Sequence, residues 1–271
     1  MTHYSVLMSV YYKEDPQHLR DSISSMLNQT IPTNDFVLVC DGPLTKDLDA
    51  VIDEFNEGNP GLFQVIRLEE NQGLGTALNI GMRYCKNNLI ARMDSDDISY
   101  PDRCEKQLKI FQRYNVDIVG GTVQEFDGSI SNVTTQRVLP ENHDDIYEFA
   151  KRRNPFNHPA VMYRKDSIIS VGGYQDFYLF EDYYLWVRAL MNGARGYNIN
   201  EPILYMRAGS EMYDRRGGIK YLKSMWRFRW YMKKSGFSGW LDFLYSVLGH
   251  SLVCLIPNRL RQKIYEVLLR R

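Results

Sequence analysis

Apolar runs alternate with amphipathic stretches along the first third of the chain. Ser5-Val6-Leu7-Met8-Ser9-Val10-Tyr11 reads as a buried strand, and Phe36–Cys40, Phe63–Arg67 and Leu89–Met93 read as three more. Between them, helical spacing predicts helices over Leu19–Leu27 after Pro16, about Asp47–Phe55, and Gly73–Tyr84. The second strand stops at the turn Asp41-Gly42-Pro43, and the fourth stops at Asp94. Strands alternating with helices imply parallel βαβ units. The expected fold class is α/β, with a Rossmann-like, mostly parallel central sheet and helices on both faces.

After about Val123 the pattern is less regular. Gly128 marks a hairpin turn, Asn154–His158 a loop, Ala160–Tyr163 a strand and Asp182–Met191 an amphipathic helix. A regularly alternating half over 1–123 and a less regular half over 124–210 make up a domain of residues 1–210. Residues 211–271 form a basic, helical extension.

In such sheets ligands bind beyond the carboxyl ends of the strands. Tyr11-Tyr12, Asp41 and Asp94-Ser95-Asp96-Asp97 occupy those ends, far apart in sequence yet expected at one edge. The three carboxylates of the last group repel one another unless a cation or hydrogen-bond donors compensate. Closely spaced oxygen ligands suit Mn²⁺ or Mg²⁺, with Asp96 as main ligand and Asp94 and Asp97 beside it. A solvated turn capping the helix after Pro101 is the plainer alternative. Asn71-Gln72-Gly73-Leu74-Gly75 opens a helix, whose free N–H groups favour anions, although a tight turn against a packed helix accounts for the same glycines. Glu181-Asp182 starts another helix, where a carboxylate caps the end or serves as general base toward a hydroxyl.

Composition narrows the classes. The 271 residues, 44% hydrophobic, suffice for one large α/β domain with a helical appendage. Cys40, Cys85, Cys104 and Cys254 are scattered, which fits a reducing compartment rather than a zinc site or disulfide framework. The start runs straight into a strand without a leader-like apolar stretch, so the sequons at Asn28 and Asn132 are read as chance matches. Net charge is zero, but from Arg215 onward 13 Lys/Arg face 2 Asp/Glu, about +11 on a body of about −11. Trp226, Trp230 and other aromatics interleave with those cations, and Trp240–Ile256 follows at helical spacing. An anionic membrane surface fits this tail. Packing on the protein's own core or on a homodimer partner is the alternative. No nucleic-acid partner is expected, since no RNA-binding motif accompanies the tail.

Taken in order, these residues resemble the inverting family 2 glycosyltransferases with the GT-A fold, of the bacterial capsule, exopolysaccharide and O-antigen type. Val6–Tyr12 is similar to that family's opening strand, Asp41-Gly42 to its uracil-contacting turn, and Asn71-Gln72-Gly73-Leu74 with Ala77-Leu78-Asn79 to its Asn-x-Gly-Leu stretch. Ala91-Arg92-Met93-Asp94-Ser95-Asp96-Asp97 resembles its DxD-type metal site. Gly172-Gly173-Tyr174 and Glu181-Asp182 resemble its acceptor-side landmarks. The chain departs from the pattern at Tyr11-Tyr12-Lys13, where family members often carry proline and asparagine, and at Pro43, where they often carry an acidic residue or serine.

The resemblance implies a nucleotide-sugar donor, with UDP favoured, held by Ser9, Tyr11, Asp41, Asn71, Gly73, Asn79, Arg92, Asp94 and Ser95. It implies a divalent metal and a lipid-linked saccharide acceptor. It selects Asp182 as base, with Glu181 as fallback, and places His158, Gly173 and Tyr174 near the acceptor or diphosphate. The expected location is cytoplasmic, peripheral at the inner face of the cell membrane. A nucleotidyltransferase would also place carboxylates and metal at a sheet edge, but the Gly-rich N-terminal signature that would favour it is missing. A non-catalytic nucleotide-binding, membrane-associated protein is the other alternative.

Overall fold

The computed structural model describes residues 3–207 and 218–255. The first part alternates strictly: β1 (Ser5–Val10), α1 (Pro16–Leu27), β2 (Phe36–Cys40), α2 (Lys46–Gly58), β3 (Phe63–Arg67), α3 (Leu74–Tyr84) and β4 (Leu89–Asp94). Local chemistry sets the helix starts. Pro16 opens α1 and the Asp15 carboxylate accepts from the Gln17 and His18 amides at 2.8 and 3.2 Å. Thr45 caps α2 through the Leu48 amide.

Next come β5 (Ile98–Ser99), α4 (Arg103–Arg113), β6 (Ile118–Phe126), β7 (Val133–Arg137), α5 (His143–Ala150), a 3₁₀ turn (His158–Ala160), β8 (Met162–Arg164), α6 (Lys165–Ile169), α7 (Glu181–Met191) and β9 (Gly196–Arg207). Two further helices are α8 (Gly218–Lys234) and α9 (Trp240–Leu255). The hairpin expected at Gly128 joins β6 to β7. The strand expected over Ala160–Tyr163 starts later, because Pro159 lies within the 3₁₀ turn.

The described strands form one sheet in the order β3-β2-β1-β4-β8-β6-β9-β5, with β7 on the second half of β6. Strands β1 to β4, β6 and β9 run parallel, while β5, β7 and β8 oppose them. The sheet is therefore mostly parallel, as the alternation predicts. Register settles the placement of the site. Val10 pairs with Cys40 and Ser9 with Asp94, so β1, β2 and β4 end level. The residues that follow them emerge at one edge.

Side chains alternate between two cores. Val6, Met8, Val10 and Leu38 pack under α1, α2 and α4, and Leu7, Val37, Val39 and Ile90 pack under α3 and the later helices. Helix α8 belongs to the second core. Tyr221, Met225, Phe228 and Met232, at helical spacing, are buried there with Tyr183 and Trp186 of α7. Within the described part of the tail, α8 therefore packs on the protein's own core and leaves Trp226 and Trp230 about half exposed. The calls on Arg215, Arg216 and Ile256, and the ends of the 211–271 region, lie outside the described residues. Among the described residues, no helix is long and apolar enough to cross a membrane.

Candidate active site

A cleft of about 810 Å³ opens along the edge where the parallel strands end. Asp94, Asp96 and Asp97 line it, together with Glu181 and Asp182 at the start of α7. Gly73, His158 and Tyr174 line it too. Ser9, Tyr11, Asp41, Asn71, Asn79, Arg92, Ser95 and Gly173 are not among its lining residues. Of these, Asp41, Asn79 and Arg92 hold lining groups in place.

The acidic turn is held from behind. Arg92, 1% exposed, donates through both terminal nitrogens to the two Asp94 oxygens, Nη1 to Oδ2 at 2.6 Å and Nη2 to Oδ1. Burial works against the Arg92 charge, yet Asp94, Tyr174 and Asp97 outweigh it and leave its pKa above the ordinary value. Arg103, wholly buried on α4, donates to the carbonyl of Arg92 at 2.6 Å and so braces the strand end. Ser22 donates to the Asp94 carbonyl and Ser95 to Glu14. The Arg207 amide, at the end of β9, donates to Asp97 Oδ1 at 2.8 Å, and the Arg207 Nε donates to the Asp96 carbonyl at 3.0 Å.

The three carboxylates can present ligand oxygens within 4.8 Å of one another. Burial, then Asp94 and Glu14, push Asp96 up to about 7. Burial, then Asp96 and Asp94, push Asp97 well above the usual carboxylate range. Asp97 Oδ2 is buried without a hydrogen-bond partner. A cation relieves both the repulsion and the orphaned oxygen, so these residues fit an oxygen-ligated divalent ion.

Asp41 is nearly buried, and its two oxygens accept from the amides of Gln72 at 2.7 Å and Gly73 at 3.0 Å. Asn71 donates to the Asp41 carbonyl. Asp41 therefore fixes the loop that starts α3. Gly73, at φ +85°, is the N-cap of α3, and Gly73 through Thr76 line the cleft with the unsatisfied first turn.

Across the cleft, Asn79 on α3 holds Tyr174 at both backbone groups, accepting from its amide at 2.8 Å and donating to its carbonyl at 2.7 Å. A Cβ at Gly173 would sit 2.4 Å from the Asn79 Oδ1, and Gly173 has φ +62°, so that position requires glycine. The His158 Nε2 and the Tyr174 hydroxyl lie 2.8 Å apart. Burial, then Arg92, hold the His158 pKa well below its ordinary value, which makes it a neutral partner. Glu181 Oε1 accepts from the Leu179 amide, which steadies Leu179 at φ +60°. Asp182 Oδ2 accepts from Asn154 Nδ2 at 2.6 Å, and Oδ1 from the Tyr183 amide at 2.7 Å.

Several participants carry no local signal in the chain. Arg207 reaches the acidic turn from 110 residues away, and Arg103 and Asn154 act from a helix and a loop with no motif of their own. His18, Gln175 and Asp176 line the cleft from separate loops and helices.

Similar proteins place the chain in a family. The family model described as Glycosyl transferase family 2 matches residues 5–172. An uncharacterized glycosyltransferase of Haemophilus influenzae is 38% identical over 99% of both chains. The amylovoran biosynthesis glycosyltransferase AmsE of Erwinia amylovora is 38% identical over 97% of this chain and 98% of its own. The Escherichia coli UDP-Gal:alpha-D-GlcNAc-diphosphoundecaprenol beta-1,3-galactosyltransferase is 35% identical over 99% of this chain and 97% of its own. Among solved structures, the mannosyltransferase PcManGT from Pyrobaculum calidifontis, in complex with GDP-Man and Mn²⁺, aligns with a TM-score of 0.64 at 14% identity, over 96% of this chain and 72% of that one. S. aureus TarS in complex with UDP-GlcNAc aligns at 0.62 and 16% identity, over 99% and 72%. These likenesses show the shared GT-A fold.

Proposed function

The chain belongs to glycosyl transferase family 2, and from that premise we propose that it is a metal-dependent, inverting hexosyltransferase of cell-surface polysaccharide assembly. Its donor is a UDP-sugar and its acceptor a lipid-diphosphate-linked saccharide. The observation that carries this reading is one cleft lined both by Asp94, Asp96 and Asp97 and by Glu181 and Asp182. The AmsE and galactosyltransferase relatives support the polysaccharide context, the UDP donor and the lipid-diphosphate acceptor. The metal assignment rests on the carboxylates themselves.

Asp96, with Asp94 and Asp97, would hold Mn²⁺ or Mg²⁺, which when bound neutralises charge on the departing diphosphate. The open first turn of α3 offers N–H donors to the same anion. Asp41 keeps that turn in place, with both oxygens on the Gln72 and Gly73 amides, and the family resemblance assigns the Asp41-Gly42 turn to the base. Ser9, Tyr11, Asn71 and Ser95 shape the donor edge around it. Arg92 restrains Asp94 so that the acidic turn keeps one shape between turnovers.

Asp182 takes the proton of the acceptor hydroxyl as its oxygen attacks the anomeric carbon. The bond from that carbon to the phosphate oxygen breaks in the same step, so the configuration inverts. Glu181, whose pKa burial raises, steadies the turn before α7. His158 and Tyr174 line the cleft between the acidic turn and α7, and Gly173 lets Tyr174 sit against Asn79.

The outer face of the α8–α9 hairpin exposes Trp226, Trp230, Trp240 and Leu241. The Lys233 ammonium sits 4.7 Å from the centre of the Trp240 ring. Interfacial aromatics beside cations suit an anionic lipid surface, so the enzyme works peripherally at the cytoplasmic face of the membrane that carries its acceptor.

Purified protein offered UDP-, GDP- and dTDP-sugars with Mn²⁺ and a diphospho-GlcNAc alkyl acceptor tests the reading. Transfer from a UDP-sugar that stops in EDTA supports it. Full transfer in EDTA overturns the metal, and transfer only from GDP- or dTDP-sugars overturns the UDP donor.

A further inference from the structure

We infer that Arg229, on the C-terminal hairpin, is a positioning residue for Asp182, which makes α8 part of the catalytic unit as well as the surface-facing element. The inference rests on the reading of Asp182 as base. Arg229 is 3% exposed. Its Nη2 donates to the Arg152 carbonyl at 2.6 Å, and its Nη1 donates to the Lys151 carbonyl at 3.2 Å and the Tyr183 hydroxyl at 3.1 Å. The Tyr183 hydroxyl in turn donates to the Ala150 carbonyl at 2.7 Å.

The carbonyls of residues 150–152 lie at the C-terminal end of α5, where they lack helical partners and where a cation is favoured. One guanidinium therefore grips the backbone of residues 151–152 and the Tyr183 hydroxyl. That backbone leads within two residues to Asn154, and Tyr183 is the chain neighbour of Asp182. Asn154 and Asp182 then join each other at 2.6 Å. The circuit Arg229, residues 151–152, Asn154, Asp182, Tyr183 and back to Arg229 is closed, so both ends of the hydrogen bond that aims the base are tied to the same side chain. Helix α9 grips the loop again, since Asp242 accepts from the Arg152 side chain at 2.7 Å. Phe228, beside Arg229, packs against the Tyr183 ring.

A displacement of about 1 Å in a reacting group costs on the order of 10²-fold in rate, so this circuit bears on turnover and leaves donor binding alone. The test compares Arg229→Met, Arg229→Lys, Tyr183→Phe, Asn154→Ala and Asp182→Asn in the full chain. Turnover is measured with UDP-galactose, Mn²⁺ and a diphospho-GlcNAc alkyl acceptor. UDP affinity is measured by calorimetry, and hydrogen exchange over 151–157 and 179–184 reads the circuit without substrate.

Arg229→Met is expected to lower kcat roughly 10- to 100-fold, with donor KM and UDP affinity unchanged and faster exchange in both segments. Arg229→Lys, which keeps the charge and can reach one carbonyl, recovers part of the rate. Unchanged kcat and exchange overturn the inference. So does a parallel loss of kcat and UDP affinity, the mark of a merely structural role. If Arg229→Met does not fold, Tyr183→Phe and Asn154→Ala decide, and wild-type kcat and exchange in both overturn it. Normal transfer by Asp182→Asn instead overturns the base itself.

Discussion

The proposed donor and acceptor sides of the cleft reach their geometry by different means. On the donor side, Asp94 ends β4 and Asp41 follows β2, strands whose register with β1 fixes their height. The groups that orient them are largely backbone amides and a guanidinium on the same strand. On the acceptor side no strand end supplies the key groups. Asp182 depends on Asn154 and Tyr174 on Asn79, side chains 28 and 95 residues away. A backbone-framed site loses function when its own groups change. A site framed by side chains also loses function when remote residues change, because those residues aim its groups.

Substitutions that separate binding from turnover sharpen this contrast. The largest effect is expected at the base. Asp182→Asn lowers acceptor transfer by about 10²–10⁴-fold while UDP and metal affinity hold, and an equal loss of UDP affinity would show that the two sides are not independent. Asp96→Asn comes next, with a loss on the order of 10²–10³-fold in Mn²⁺-dependent turnover. Calorimetry should find UDP binding weakened in Mn²⁺ and like wild type in EDTA, and a variant as active as wild type would sink the ligand assignment.

Asp41→Ala removes an acceptor of two amides. Hydrogen bonds to a charged group contribute about 1.5–3 kcal/mol, so a lower urea midpoint is expected, with UDP affinity falling as the start of α3 loosens. Unchanged affinity would leave Asp41 a purely structural residue.

Stability against pH tests the acceptor side. His158 has a folded-state pKa depressed by burial and Arg92. Below about 6.5, its unfolded value, the unfolded chain takes up a proton that the folded protein refuses. Stability therefore falls as pH drops from 7 toward 5, by up to about 1.4 kcal/mol per unit from this group. Denaturation of His158→Gln across that range should show a shallower slope, and an identical slope would refute the buried neutral imidazole. The smallest effect belongs to the outer face of the hairpin. Lys233→Ser should weaken flotation with anionic vesicles by about 1 kcal/mol, roughly fivefold, with no change on neutral vesicles, and equal binding to both lipids by the wild type would remove the electrostatic part.

The legibility of the chain follows the same division. Strands β1 to β4 are short apolar runs bounded by turns, and the acidic turn follows one of them directly, so fold class and donor edge were readable from local pattern. Strand β6 was not, because Gly120-Gly121 interrupts it. Those glycines admit β9 at close range, where a Cβ on Gly120 would meet the Asn198 Oδ1 at 2.2 Å. Strand β9 was equally hidden, since Asn198, Asn200, Glu201 and Pro202 break its apolar alternation and its register with β6 shifts at Thr122.

By itself, then, the sequence determined the parallel α/β frame, the family resemblance and the residue types at the strand ends, because burial on both faces of a sheet writes a local apolar signature. Only the tertiary structure decided what those residues touch. It gave both Asp41 oxygens to a loop, brought Arg207 to Asp97, set a neutral His158 against Tyr174, and placed Arg229 of the tail on the backbone that aims Asp182. These are single hydrogen bonds between distant segments, and no periodicity along the chain encodes a contact that exists only once the sheet edge and the helix ends have met.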